Sequence, residues 1–328
     1  MNKNQKIVFE AKSIAIIRTD KIGDMVLTLP LFQALKKRFP DKKIVMIASQ
    51  YTKSLLESTL NENEYYCIEN QDDLKRYLFK NKIDVAFFPR PRFNEALSSL
   101  AARVKLRIGS AYRLYSFLFN YKIKDHRKIA KYHEAEYNVR MLSSLLEENI
   151  EVELIKPKVT DQSLESLNKI LSLYNFDYNM KFIILHPGSG GSARDWSIDN
   201  FQKLNSELLK LGYQTIITGV QSELEICNKV SSSSSAINLC GKLDFNELLA
   251  LISKAKIIIA NSTGVIHLAA SLEVPTIGFY PNTAHLSSKR WGPYSNKSNI
   301  ISPPNSSDDM NLIEISEVLE KVNNFSYK

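Results

Sequence analysis

Short apolar segments alternate with amphipathic segments along almost the whole chain. The apolar segments are rich in Ile and Val, as in residues 13–18 and 43–48, which is typical of buried strands. The segments between them repeat apolar residues at three- and four-residue spacing, which predicts helices. Because strands that alternate with helices form parallel sheets covered on both faces, the sequence predicts an α/β, doubly wound fold.

This alternation is interrupted once, near the middle of the chain. With 328 residues the chain is too long for one ordinary core, and it suits two domains of about 150 residues each. Residues 151–162 contain Pro157 and form the predicted linker. We expect two Rossmann-like domains, 1–155 and 156–328, whose strand ends face one another across a cleft. The last helix, predicted at about 310–322, is a candidate to pack back on the N-terminal domain.

Three cysteines, Cys67, Cys227 and Cys240, are widely spaced and odd in number. This pattern predicts neither a disulfide framework nor a zinc site, and the three are expected to be small core residues. No apolar run approaches the roughly 18 residues of a membrane span, and residues 1–12 lack the apolar core of a secretory signal. We therefore expect a cytoplasmic protein.

The most distinctive stretch of the sequence is KFIILHPGSGGSARDW, residues 181–196. An apolar strand must end at His186 and Pro187, because proline cannot continue a ladder of hydrogen bonds. The loop that follows consists of small residues, namely Gly188, Ser189, Gly190, Gly191 and Ser192. Such a backbone can turn its N–H groups toward an anion, Arg194 adds a cation, and Ser197 is a predicted N-cap for the next helix. The stretch predicts a phosphate site; the alternative is a glycine-rich turn without a ligand.

The same loop also fits the spacing G-x-G-x-x-A of dinucleotide-binding folds, from Gly188 to Ala193. That fingerprint requires an acidic residue at the end of the next strand. The next predicted strand ends at Thr218, and the first carboxylate after it is Glu223. A nicotinamide-dependent dehydrogenase is therefore disfavoured.

Two further loops at predicted strand ends carry candidate site residues. Asp24 follows Gly23 where the first strand leads into a helix, and an ionised carboxylate at this position is a candidate general base. The alternative is that Asp24 only caps the helix, and Asp20 is expected to cap the loop. Residues 261–264 (NSTG) form a second helix start suited to an anion. That helix contains His267, which its apolar surroundings predict to be buried and hydrogen-bonded.

Positive charge is concentrated in the first half of the chain. The net charge of the whole chain is +8, and residues 90–131 alone have eleven basic and two acidic residues. A solvated charge run normally mixes signs, so this segment predicts contact with a polyanion. Nucleic acid is disfavoured because no recognised nucleic-acid motif is present, whereas the neighbouring Tyr and Phe residues suit an anionic lipid surface. The residues expected to bind an anionic acceptor are Arg90, Arg92, Arg103, Lys105, Arg107 and Arg113.

Four ordered blocks of the sequence resemble glycosyltransferase family 9, the ADP-heptose:lipopolysaccharide heptosyltransferases and their relatives. The blocks are residues 18–24 (RTDKIGD), 186–196 (HPGSGGSARDW), 261–270 (NSTGVIHLAA) and 290–293 (RWGP). The resemblance implies the two-domain B-type glycosyltransferase fold, GT-B, in which the N-terminal domain binds the acceptor and the C-terminal domain binds the nucleotide sugar.

The resemblance also implies roles for individual residues. Asp24 would be the base on the acceptor hydroxyl in an inverting transfer. Glu223 would contact the ribose, and Leu243 would bound the adenine. The residues implied for the diphosphate and the sugar are Ser189, Gly190, Arg194, Ser262, Thr263, Gly264 and His267.

The reaction expected from the resemblance is transfer of a heptose from ADP-heptose to a lipid A-linked inner-core acceptor of lipopolysaccharide. The protein would act at the inner face of the inner membrane. Some heptosyltransferases have aspartate where this chain has Ser262, so we expect no metal or other cofactor to bind through that position. Two alternatives stay open: the same fold using another nucleotide sugar, and a noncatalytic nucleotide-binding α/β protein.

Overall fold

A computed structural model describes residues 1–191, 193–232 and 235–325. Ser192 of the glycine-rich loop lies outside the described residues. So do Ser233 and Ser234, which belong to a run of five serines, 231–235, that its composition predicts to be a surface loop. The chain divides into two compact units, Met1–Ile155 and Lys156–Lys328.

The first unit is built on a six-stranded sheet. Its strands are β1 (Ser13–Ile17), β2 (Lys43–Ser49), β3 (Tyr65–Ile68), β4 (Val85–Phe87), β5 (Leu106–Ser110) and β6 (Tyr121–Ile123). Its helices are α1 (Lys3–Glu10), α2 (Ile22–Val26), α3 (Leu29–Arg38), α4 (Lys53–Thr59), α5 (Gln71–Lys80), α6 (Phe93–Ala101) and α7 (Glu134–Leu146).

The strand order of this sheet is β3-β2-β1-β4-β5-β6, and every pairing is parallel. Ile14 of β1 lies opposite Ile44 of β2 on one side and Val85 of β4 on the other. All five residues of β1 are buried, as expected for a central strand covered on both faces. The order reverses between β1 and β4, and such a reversal opens a crevice beyond the carboxyl ends of the strands.

The second unit contains a second six-stranded sheet. Its strands are β7 (Phe182–His186), β8 (Gln214–Ile217), β9 (Ile237–Asn238), β10 (Ile257–Asn261), β11 (Thr276–Phe279) and β12 (Ser298–Ile301). Its helices are α8 (Asp161–Leu171), α9 (Ile198–Lys210), α10 (Leu224–Ser231), α11 (Phe245–Lys254), α12 (Gly264–Ser271), α13 (Ser288–Trp291) and α14 (Ile315–Asn324).

The second sheet repeats the topology of the first. Its order is β12-β11-β10-β7-β8-β9, again with parallel pairing, and the reversal lies between β7 and β10. The predicted α/β, doubly wound class is therefore confirmed in both halves of the chain.

Pro30 determines where the first long helix begins. The sequence predicts a helix from Asp24 to Phe39 that Pro30 must kink or restart. The structure has a short helix, α2, and then α3, in which Pro30 occupies the first turn. Proline is tolerated there because the first turn has no intrahelical partner for its missing N–H.

The last helix packs within the second unit. Val318 and Val322 of α14 belong to the same buried cluster as Trp196, Phe201 and Phe279. The apolar face of α14 therefore contributes to the core of its own unit, and the expected packing of this helix on the N-terminal domain stays a prediction. Among the residues that the structure describes, none of the helices has the length and apolar character needed to cross a bilayer.

Candidate active site

Arg18 is the centre of an ion-pair network at the carboxyl end of β1. Its side chain is buried, and its Nε lies 2.8 Å from Oδ2 of Asp20. It is also paired with Asp24, and its Nη1 lies 3.9 Å from Oε1 of Glu134. Burial acts to lower the pKa of Arg18, but the charges of these carboxylates outweigh burial and raise it. The cation is thus fixed and permanently charged, and it orients the acids around it.

Asp24 lies in the first turn of α2, and its carboxylate accepts a hydrogen bond from Nη2 of Arg18. The N-cap of α2 is Lys21, so Asp24 does not cap this helix with its side chain. The side chain is 18% exposed, which leaves it accessible to a ligand. The geometry supports a reactive carboxylate more than a capping one.

Asp20 is a second carboxylate of this network and not the loop cap that the sequence suggested. It accepts hydrogen bonds from Nη1 of Arg90 (2.9 Å) and Nη2 of Arg92 (2.7 Å), in addition to its pairing with Arg18. Arg90 and Arg92 follow β4, the strand on the other side of the reversal. Asp20 therefore joins the two loops that flank the crevice.

Glu95 is a site residue that the sequence analysis missed. It lies in the first turn of α6, its side chain is buried, and it accepts a hydrogen bond from the hydroxyl of Thr19. Burial raises the pKa of Glu95 to about 7, although the hydrogen bond from Thr19 and the charge of Arg92 both act to lower this pKa. The available signal was a lone carboxylate at the start of the helix that follows a strand end.

The six basic residues expected to form one acceptor face are divided between the two edges of the first sheet. Arg90 and Arg92 follow β4 and Arg113 follows β5, so these three lie at the carboxyl edge. Arg103 and Lys105 precede β5, and Arg107 lies at its start. Because a parallel strand begins at one edge of the sheet and ends at the other, the six cannot share one site.

Lys105 and Arg107 have local partners at the amino edge. Nζ of Lys105 lies 2.8 Å from Oδ1 of Asp84. Arg107 donates from Nε to the carbonyl of Leu118 (2.8 Å) and from Nη1 to the carbonyl of Val104 (2.6 Å). The guanidinium of Arg107 thus binds the backbone carbonyls of neighbouring turns, which disfavours its expected contact with the acceptor; that contact stays a prediction.

In the second unit, the residues expected to bind the nucleotide sugar follow four neighbouring strands, β7 to β10. Ser189, Gly190 and Arg194 follow β7, Glu223 follows β8, and Leu243 follows β9. The residues after β10 are Ser262, Thr263, Gly264 and His267. The carboxyl ends of parallel neighbouring strands lie at one edge of a sheet, so the structure brings this set together.

Glu223 fills the concave side of the glycine-rich loop. Its Oε1 accepts a hydrogen bond from the N–H of Gly190 (3.0 Å), and its Oε2 accepts one from the N–H of Val220 (2.9 Å). A β-carbon at Gly188 would lie 2.1 Å from Oε1, so any other residue there would require the Glu223 carboxylate to move. Gly190 and Gly191 have φ of 55° and 71°, a backbone conformation that favours glycine. The N–H of Gly190 therefore binds the carboxylate of Glu223, and the predicted phosphate site stays a prediction.

Arg194 lies beside this loop with its guanidinium half exposed. Its Nη1 lies 3.1 Å from Oδ2 of Asp308, which also accepts hydrogen bonds from the N–H and the hydroxyl of Thr283. Arg194 is therefore held at the loop by an ion pair that the sequence did not predict. The predicted N-cap is confirmed, since the hydroxyl of Ser197 accepts a hydrogen bond from the N–H of Asn200.

Asn261 joins the two loops at the reversal of the second sheet. Its Nδ2 donates to the carbonyl of Pro187 (2.7 Å), and its Oδ1 accepts from the N–H of Trp196 (2.9 Å). The next residues begin α12, whose N-cap is Thr263. His267 is buried one turn into that helix. A fixed pair of loops at a helix N-terminus is suited to a diphosphate.

His186, at the end of β7, is another buried polar residue of this edge. Its Nδ1 lies 2.9 Å from the hydroxyl of Thr218, the residue after β8. Burial lowers the pKa of His186 to about 4, although the charge of Glu223 acts in the opposite direction. Neutral His186 therefore supports the loop without adding charge to it. The structure contains no cluster of His, Cys, Asp or Glu residues that could hold a metal ion within its described ranges.

The sequence profile of glycosyltransferase family 9 (heptosyltransferase) matches residues 72–317 of this chain. The chain belongs to this family. A Haemophilus influenzae protein whose name assigns it only to the glycosyltransferases is 28% identical over 96% of each chain. The lipopolysaccharide core heptosyltransferase OpsX of the same organism is 24% identical over 89% of this chain and 84% of its own length.

Solved structures of family 9 enzymes have the same fold as this member. A glycosyltransferase of family 9 from Veillonella parvula superposes with a TM-score of 0.83 at 17% identity, covering 96% of this chain and 97% of the other. The ADP-heptose lipopolysaccharide heptosyltransferase II of E. coli superposes with a TM-score of 0.80 at 22% identity, covering 95% and 98%. The fold is therefore of the GT-B type, and the protein is a glycosyltransferase of the heptosyltransferase family.

Proposed function

We propose that this protein transfers a heptose from ADP-heptose to an inner-core acceptor of lipopolysaccharide, with inversion at the anomeric carbon. The names of its relatives support the sugar and the acceptor class. The observation that carries the proposal is the accessible carboxylate of Asp24, oriented by buried Arg18 at the strand reversal of the first unit. A protein that only bound nucleotides would have no use for such a carboxylate.

Asp24 is the proposed general base. The acceptor hydroxyl loses its proton to Asp24 as its oxygen forms the new bond to the anomeric carbon. Arg18 holds the carboxylate in one orientation, which favours proton transfer through geometry. Asp20 is paired with three arginines and is not available for this role.

The second unit is the proposed donor site. As the bond to the sugar breaks, negative charge accumulates on the ADP diphosphate, and positive groups nearby stabilise the transition state. The proposed groups are the loop with Ser189 and Gly190, the guanidinium of Arg194 and the start of α12. Glu223 and Leu243 are proposed to contact the ribose and the adenine, with Ser262, Thr263, Gly264 and His267 next to the diphosphate and sugar.

We further propose that transfer needs no resident metal or other cofactor. The leaving diphosphate would be neutralised by Arg194 and by backbone N–H groups, which act where the charge develops. The expected result is full activity in excess EDTA, and activity restored only by added Mg²⁺ would contradict it.

The acceptor is proposed to be an anionic glycolipid at the inner face of the inner membrane, and the protein to be cytoplasmic and peripheral. Arg90, Arg92 and Arg113, at the carboxyl edge of the first sheet, are the cations proposed to meet its acidic sugars and phosphates. Arg90 and Arg92 are half exposed although both also pair with Asp20, so each can contact a second anion.

The donor is tested by the change in melting temperature with ADP, ADP-heptose, UDP, GDP and NAD. A ligand at 100 times its Kd stabilises the folded state by about 2.7 kcal/mol, which such an assay resolves. We expect ADP and ADP-heptose to raise the melting temperature and the other three to leave it unchanged. A response to UDP or GDP without a response to ADP would replace ADP-heptose with another nucleotide sugar.

A further inference from the structure

Helix α6 carries a row of exposed apolar side chains. Phe93, Leu97 and Leu100 are 47%, 45% and 42% exposed. Their spacing of four and three residues places them on one side of the helix. The opposite side of the helix, with Glu95, Ser98 and Ser99, is buried in the first unit. An amphipathic helix in a globular protein normally turns its apolar side inward, so an apolar row that faces outward requires another explanation.

The row continues onto the connection between β5 and β6. Leu114 and Phe117 are 101% and 72% exposed. The ring of Phe93 contacts the ring of Tyr115, with centroids 5.6 Å apart, and the Tyr115 hydroxyl donates to the carbonyl of Pro91. We call this continuous surface the α6 surface; it comprises Phe93, Leu97, Leu100, Leu114 and Phe117. Exposed apolar patches of this kind mark interaction sites.

The charges in this segment have one sign at the surface. The exposed charged residues between 92 and 120 are Arg92, Arg103, Lys105 and Arg113. The only acidic residue in that range is Glu95, which is buried. Apolar side chains among arginines and lysines, in a segment with no exposed acid between residues 92 and 120, complement an anionic bilayer, in which acyl chains lie below negative headgroups.

We propose that the α6 surface inserts into the headgroup region of an anionic membrane. This membrane contact adds a binding surface to the proposed function, and it rests on the proposal that the acceptor is lipid-linked. The start of α6 carries Arg92, its N-cap residue, which bonds Asp20, and Glu95 in the first turn, which bonds Thr19. A membrane-bound α6 therefore holds the candidate acceptor site at the surface from which the acceptor is taken. Of the aromatic residues expected from the sequence, Phe117 belongs to the α6 surface. Phe119 is buried, and the hydroxyls of Tyr115 and Tyr121 bind backbone carbonyls.

The test is flotation of the full chain with vesicles of phosphatidylcholine, with and without phosphatidylglycerol. The variant Leu97→Gln/Leu100→Gln/Phe117→Gln removes three apolar side chains of the α6 surface. The control variant Leu173→Gln/Leu211→Gln/Leu312→Gln removes three that are at least as exposed as Leu100 and lie in the second unit. Because all six are exposed, both variants should keep the wild-type melting temperature.

We expect the wild type and the control to bind the anionic vesicles. The affinity of the α6 variant for these vesicles should be lower by about tenfold or more. Equal binding by the α6 variant, or no binding by the wild type, would overturn the proposal. Self-association that the α6 variant loses, without vesicle binding, would show that a second copy covers this surface. Transfer to a water-soluble, deacylated acceptor should be unchanged in the α6 variant. If the wild type and both variants all fail to catalyse that transfer, but bind vesicles as expected, the proposed function is wrong and the proposed membrane contact is supported.

Discussion

The carboxylate of Glu223 lies so close to Gly188 that a β-carbon there would be 2.1 Å from Oε1. The same carboxylate accepts the N–H groups of Gly190 and Val220, so it joins the loop after β7 to the loop after β8. The shape of the proposed diphosphate site therefore depends on a glycine that makes room for a carboxylate.

Gly188→Ala should displace Glu223 from both N–H groups. Each lost hydrogen bond to a charged acceptor costs about 1–3 kcal/mol, so the melting temperature should fall and ADP binding should weaken by calorimetry. Glu223→Gln is the control, because it keeps the size of the side chain and one accepting oxygen. It should lower the melting temperature less than Gly188→Ala. A Gly188→Ala variant with wild-type stability and ADP affinity would show that the loop tolerates the displacement.

Glu95 should make the stability of the first unit depend on pH. The folded protein holds the proton of Glu95 up to a pKa of about 7, whereas an unfolded glutamate releases it near 4.5. The stabilisation is therefore fully present below about pH 4.5 and is lost as the pH rises through about 7. A shift of this size corresponds to about 3 kcal/mol.

Glu95→Gln tests this dependence, because glutamine resembles the protonated acid and can still accept from Thr19. Urea denaturation at pH 5 and pH 8 should show the free energy of unfolding of the variant rising relative to wild type at pH 8. Parallel pH profiles of the two proteins would mean that Glu95 is ionised in the folded state throughout.

Two matched double variants test whether the acceptor binds at the carboxyl edge or at the amino edge of the first sheet. Arg90→Gln/Arg92→Gln removes two cations at the carboxyl edge of β4, and Arg103→Gln/Lys105→Gln removes two at the opposite edge. With a water-soluble acceptor and saturating donor, the first pair should raise the acceptor KM roughly tenfold, and the second should leave it unchanged. The wild-type KM should rise with salt more steeply than that of the first variant. Equal effects of the two pairs would contradict an acceptor site at the carboxyl edge.

The fold was largely predictable because its signals are local. The apolar run of β1, the proline at the start of α3 and the serine cap of α9 each determine an element through neighbouring residues alone. The helix α1 was missed although Asn2 and Gln5 form a capping box, a signal present in the sequence. Strand β12 was not predictable in the same way, because its partly buried residues are defined by pairing with β11.

The site was predictable only where a role depends on position in a loop. The residues after β7 and β10 could be expected at one sheet edge. The partners of Arg18 could not, because Glu134 and Asp20 meet it only in the folded chain. For the same reason, the sequence grouped Lys105 and Arg107 with Arg90 and Arg92. The number of charges along a segment does not show which edge of the sheet each residue occupies.

The most direct test of the account is the single-turnover rate of Asp24→Asn with saturating donor and acceptor. Asparagine keeps an oxygen for Arg18 but cannot accept the proton, so we expect the rate to fall about 10²-fold or more. ADP affinity, measured by calorimetry on the same preparation, should match the wild type because Asp24 belongs to the first unit. A variant that transfers the sugar at the wild-type rate would remove Asp24 from the reaction and contradict the central claim.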